Sequence, residues 1–209
     1  MVKIKKDFKK SIFFLVLFIL LLLVTASLAS ISNKKDNINS EELITATITE
    51  LTVSNSNTKL LAYFTLKINN PDELKQILIS GVPIKFTYYI RLYIPNVNIL
   101  SFLNRDISDI ILIKTVSYDS IKGTYQIHII DTNSRIIYTN SFNDVLTNIC
   151  QINDLPVTSL TNLVKGKIHI LKVKVEAKKV LSSIPFKDIL TIFSSDIFQT
   201  NWYEIKFTY

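Results

Sequence analysis

The strictest constraint in the sequence is the stretch from Ile84 to Ile94. Its even positions are Ile84, Phe86, Tyr88, Ile90, Leu92 and Ile94, and its odd positions are Lys85, Thr87, Tyr89, Arg91 and Tyr93. A period of two over that length describes a half-buried β-strand, because successive side chains leave opposite faces. Leu60, Ala62, Phe64, Leu66 and Ile68 repeat the pattern. Weaker versions run over 44–53, 109–118, 124–131, 135–139, 167–177 and 202–208. Ser54-Asn55-Ser56-Asn57 and Asp119 to Gly123 read as turns between strands.

Three segments break the alternation with helical spacing. Asn70-Pro71-Asp72-Glu73 starts the first, with Asn suited to the cap, Pro to the first turn and Glu73 to the reciprocal place of a capping box. Leu74, Ile77 and Leu78 form its stripe, and Gly81 supplies a left-handed stop. Ser141 opens a second helix with the stripe Phe142, Val145, Leu146, Ile149 and Cys150. Pro185 opens a third with Phe186, Ile189, Leu190 and Phe193. The expected fold is mainly β, bordering α+β: an antiparallel sheet or sandwich of about eight strands with two or three short amphipathic helices packed on it.

The amino terminus sets the expected compartment. Lys3, Lys5, Lys6, Lys9 and Lys10 precede an apolar run from Ile12 to Val24, with small residues around Ser27 and Ala29. Residues 1–29 therefore read as a secretory signal peptide cleaved after Ala29, or as an uncleaved inner-membrane anchor over Ile12–Ala29. Either reading exports the rest to the periplasm or holds it at the inner membrane facing the periplasm. Residues 30–42 are polar and read as a flexible linker, leaving 43–209 as one β-rich domain. The leader holds five Lys and one Asp of the chain's 24 basic and 17 acidic residues, so the remainder has 19 against 16. That small excess argues against nucleic acid as a partner.

Composition narrows the chemistry. One Cys excludes an intrachain disulfide framework, and three scattered Gly exclude a phosphate-cradling loop. Two separated His and dispersed carboxylates offer no metal-ligand spacing, and no cofactor is expected. His128 and Asp131, three apart on a strand, point to opposite faces. His169 shares its face with Leu171, Val173 and Val175 and reads as a half-buried structural histidine. Cys150 lies on an apolar stripe, where a thiol is inert.

The better site candidates are surfaces. Tyr89, Arg91 and Tyr93 share the outward face of the long strand and form a possible interaction surface. Lys172 and Lys174, within a lysine-rich stretch that also holds Lys165, Lys167, Lys178 and Lys179, are weaker candidates for an anion-facing surface. The alternative for that stretch is an exposed edge strand whose lysines deter pairing. Alternation of Tyr203, Ile205, Phe207 and Tyr209 also suggests a final outer-membrane barrel strand, but amphipathic helices have no place in a lipid-exposed barrel wall.

Ser80-Gly81-Val82-Pro83, the hairpin Tyr118 to Tyr125, Ser141-Phe142-Asn143-Asp144-Val145-Leu146, Ile184-Pro185-Phe186 and Asn201-Trp202-Tyr203 follow one another in an order that resembles the uncharacterised bacterial family "domain of unknown function 4390". The resemblance runs from about Ile44 to Tyr209. It departs in having one Trp and in lacking an Arg-rich stretch after the long strand. The resemblance implies a bacterial envelope protein with an export signal, and it brings no known activity, cofactor or catalytic residue. The expected function is a non-enzymatic, periplasm-facing interaction domain with an envelope protein as partner, in envelope assembly or signalling. The alternatives are a sensory accessory of a membrane kinase and an envelope hydrolase whose site only the fold assembles.

Overall fold

The computed structural model describes residues 43–95, 104–131, 134–180 and 196–209. The leader, the linker and the helix expected at Pro185 lie outside those residues. Among the described residues ten strands occur in order: β1 (Ala46–Asn55), β2 (Lys59–Ile68), β3 (Ile84–Ile94), β4 (Arg105–Asp119), β5 (Thr124–Ile130), β6 (Arg135–Thr139), β7 (Gln151–Ser159), β8 (Ile168–Lys179), β9 (Asp196–Gln199) and β10 (Tyr203–Thr208). Helix α1 (Pro71–Ile79) joins β2 to β3, and α2 (Phe142–Cys150) joins β6 to β7. Among the described residues no helix is long and apolar enough to cross a membrane.

Every pairing is antiparallel. β1-β2-β7 form a three-stranded sheet, and β10-β8-β3-β4-β5-β6 form the larger one. β9 and β10 share one side of β8, with Thr200 between them. The Thr200 hydroxyl accepts from the Val175 amide at 2.9 Å, and the Thr200 amide donates to the Val175 carbonyl. The fold is thus mainly β, as the alternation requires, with two short helices among the described residues.

Alternation decides which faces meet. Ile84, Phe86, Tyr88, Ile90 and Leu92 of β3 are fully buried, as are Leu171, Val173, Val175 and Ala177 of β8. Leu60, Ala62, Phe64 and Leu66 of β2 belong to the same apolar cluster, and the Phe64 and Tyr88 rings meet at 6.3 Å between centroids. Full burial of one such side chain stabilises by about 1.5–3 kcal/mol. Leu74 and Leu78 of α1 and Val145 and Ile149 of α2 join this core. Gly81 ends α1 at φ +85, donating its amide to the Leu78 carbonyl at 2.9 Å; a side chain there would be strained. The cap at the other end differs from expectation: Pro71 starts the helix, but the Asn70 side chain makes no capping bond.

Two departures from alternation come from bulges. In β1 the register slips between Thr49 and Thr52, so the buried side chains switch from Ile48 to Leu51. In β7 it slips opposite Ala62 and Phe64 of β2. The residues Glu50 and Asp154 in these slips have φ +57 and +55. Each is bound to β2: Thr65 donates to the Glu50 carboxylate at 2.9 Å, and Tyr63 to that of Asp154 at 2.5 Å.

The junction of α2 and β7 has no loop, so the last carbonyls of the helix turn inward. Helix termini leave such groups without intrahelical partners. The Tyr88 hydroxyl donates to the Ile149 carbonyl at 2.5 Å, and the Lys114 ammonium donates to that of Asn148. Both donors come from the large sheet. We expect Tyr88→Phe to lower the unfolding free energy by about 1–3 kcal/mol, because it strands a buried carbonyl while keeping the ring. Urea unfolding checks this: the midpoint should fall with an unchanged slope.

Candidate functional site

The sequence-predicted surface residues come together on the outer face of the large sheet. Lys172 pairs with Arg91 across β8 and β3, Arg91 with Asp109 of β4, and Lys172 with Glu204 of β10. These four residues form one row across the sheet with the signs minus, plus, plus, minus. Like charges directly opposed on neighbouring strands repel. Four contacts relieve the central pair. Arg91 Nε lies 3.1 Å from Asp109 Oδ2, and the Trp202 ring centroid lies 5.7 Å from the Arg91 guanidinium and 4.9 Å from Lys172 Nζ. The Tyr93 ring flanks Lys172 at 5.3 Å, so this ammonium stands beside two aromatic faces. Burial, with Glu204 and Asp106 nearby, raises the Tyr93 phenol above its ordinary value.

In the adjoining row Tyr89 lies between Lys174 and Ile111. Lys174 Nζ is 2.9 Å from Glu176 Oε1, and the Tyr89 hydroxyl donates to Glu176 Oε2 at 3.4 Å. The Lys174 hydrogen bond, first among several contacts, holds the Glu176 carboxyl below its usual range. The lysines of β8 therefore do not guard a free edge. β8 is an interior strand, paired with β3 on one side and with β9 and β10 on the other, and its lysines stand on a sheet face. Trp202, 41% exposed, and Ile111, 55% exposed, complete the surface. Trp202 belongs to it only because the chain passes from β9 to β10 there, which the sequence pattern does not show.

The histidines are accounted for separately. His169 is fully buried rather than half-buried, stacked on Phe207 at 5.4 Å, and its Nε2 accepts from the Val164 amide at 3.2 Å. Its Nδ1 has no partner within bonding distance. Burial lowers the imidazole pKa, opposed by the nearby Lys167 backbone. His128 Nε2 instead meets the Ser134 hydroxyl at 2.7 Å. Among the described residues no three His, Cys, Asp or Glu side chains gather as a metal would require.

A second site emerges only from the fold. A cleft of about 510 Å³ lies where β7 meets the inner face of β4 and β5, and it is lined in part by Leu112, Lys114, Ile129, Asp131 and Arg135. Lys114, with 6% of its surface exposed, sits 5.3 Å from the Tyr88 ring centroid. Burial, reinforced by the Arg135 charge, brings its pKa down to about 8. Cys150 beside it is half-buried, and burial pushes its thiol up to about 11 despite the Lys114 charge. In sequence Lys114 looks like a solvent-facing residue among apolar neighbours. Its inward side chain follows from the register that places Leu112 and Val116 on the same face.

A folded pKa of about 8 against an unfolded value near 10.5 means that the unfolded chain binds more protons between those values. Stability associated with Lys114 is therefore lost as pH falls through that window and regained as it rises. We expect the difference in unfolding free energy between the wild type and Lys114→Met to change by at most about 1.4 kcal/mol per pH unit there. Denaturant titrations at stepped pH measure that slope.

A family model matches residues 45–206, nearly the whole described region. No curated protein and no solved structure was found to match the chain. By that match the chain belongs to the family described as Domain of unknown function (DUF4390).

Proposed function

We propose that the chain is an exported, non-enzymatic interaction domain of the bacterial envelope that faces the periplasm and meets a protein partner through the outer face of its large sheet. One observation carries this reading: Tyr89, Tyr93, Trp202 and Ile111 stand together there among Arg91, Lys172 and Lys174. Tyr, Trp and Arg dominate protein contact energies because they bury much area with few rotatable bonds. The Arg91–Lys172 pair at the centre suits a partner carboxylate surrounded by apolar side chains. The basic, apolar amino terminus supports the exported location.

A second reading, an envelope hydrolase, has one observation in its favour: Asp131 and Asp154 both line the cleft beside β7. Asp154 is bound by the Tyr63 hydroxyl at 2.5 Å.

The interaction reading is tested by placing a photocrosslinking residue at Tyr89 in living cells, with Ile121, 96% exposed and in the Asp119–Gly123 turn, as the control position. The expected result is an adduct with one envelope protein from position 89, none from position 121, and at least a several-fold lower yield in Trp202→Ala. Absence of any envelope adduct from both Tyr89 and Tyr93 overturns the reading.

A further inference from the structure

The two sheets end on β1, β7, β10 and β6. Three of these edges are guarded. β1 and β7 are each interrupted by a bulge, at Glu50 and Asp154, and β7 also holds Pro156. β10, beside the short β9, carries Glu204 and Lys206, both exposed. Charges, bulges and prolines are the usual devices that keep an edge from pairing with another chain. β6 is different. It holds its register with β5 from Arg135 to Thr139 without a slip, and β5 is its one strand neighbour among the described residues. It contains neither Pro nor Lys, and its outward side chains are Ile136, 47% exposed, and Tyr138, 66% exposed. Ile130 of β5 and Ile111 of β4 are exposed on the same face.

The order of residues in β6 says which strand fits it. Directly opposed residues of an antiparallel pair point to the same face. Arg135, Ile137 and Thr139 oppose Ile129, Ile127 and Tyr125 of β5, whose side chains are buried, so they take the inner face. A second β6 laid antiparallel and centred on Ile137 pairs all five residues. On the outer face Ile136 then meets Tyr138 twice. On the inner face Arg135 meets Thr139, whose hydroxyl donates to the Asp144 carboxylate at 2.7 Å. Opposed side chains start about 5 Å apart at their β-carbons, so the exposed Arg135 guanidinium reaches Asp144 of the second copy. Two-fold symmetry makes the same ion pair again, and no like charges are opposed.

We propose that β6 pairs antiparallel with β6 of a second copy of this chain, centred on Ile137 and locked by reciprocal Arg135–Asp144 ion pairs, to make one sheet across two domains. A seam of this size falls below about 1,200 Å², the range of weak association, so the two copies exchange readily. Tyr89 lies three strands away, about 14 Å, and stays open in the dimer, so failure of the pairing leaves the interaction reading intact.

The test makes the full chain in one cell with two different tags, one copy carrying Ile136→Cys and the other Tyr138→Cys, and oxidises the opened cells with copper phenanthroline. A disulfide needs α-carbons within about 7 Å, which the proposed register gives for 136 against 138. Position 138 against itself is about 8 Å apart in that register and should crosslink less. The expected yield for the mixed pair is several-fold above that for Tyr138→Cys with Ile121→Cys, a fully exposed turn position. Adding Arg135→Glu to both copies should lower the yield by about fivefold, since both ion pairs become repulsions. Arg135→Glu in one copy with Asp144→Arg in the other should restore it. A mixed-pair yield no higher than the Ile121 control overturns the proposal, as it would be if another segment or a foreign strand covered this edge. So does a yield that Arg135→Glu leaves unchanged, or a stronger crosslink of position 138 to itself.

Discussion

The domain depends on how the inward-turned end of α2 is satisfied. The chain crosses between its two sheets through α1, through α2 and through a short 3-10 turn at Leu160–Asn162. At the second crossing α2 runs into β7 without a loop, so helical carbonyls would be buried bare. Tyr88 and Lys114 of the large sheet reach across to them. A buried carbonyl left unsatisfied costs about as much as a hydrogen bond contributes, and often more. The apolar contact of Phe64 with Tyr88 brings the two layers together, while these polar contacts set where the helix ends against them.

The same arrangement makes the cleft. Lys114 is on the inner face because its register leaves no alternative, and it is tolerated there because a helix carbonyl and the Tyr88 ring receive it. Lys114 and Arg135 line the cleft together with Asp131 and Asp154, two charges of each sign. The outer face of the large sheet is different in kind. There each cation has an aromatic ring or a carboxylate beside it, in rows set by strand pairing. One surface is internally balanced and broad, which suits a protein. The other is concave and lined by charges of both signs.

Much of the fold was legible in the residues. β3 could be read to its ends because both of its faces keep strict parity, and β2 nearly so. The Asp119 turn was legible too, since the Asp119 carboxylate accepts from the Ile121 and Lys122 amides as such turns require. β7 was not legible. Asn153, Asp154 and Pro156 interrupt any alternation there, and only pairing with β2 around a bulge makes them an edge strand. β9 is four residues long, too short for any period to declare itself. The surface formed by Tyr89, Arg91 and Tyr93 was visible from parity, but its joining to Lys172, Lys174 and Trp202 was not.

Sequence alone therefore determined the antiparallel β character, the family and the outward set on β3, because side-chain alternation is local and needs no partner strand. Tertiary structure decided that β8 is interior, that Trp202 spans two cations and that Lys114 is buried beside Arg135. Those facts depend on which strands pair and in what register, and residues far apart in the chain meet only once that pairing is made.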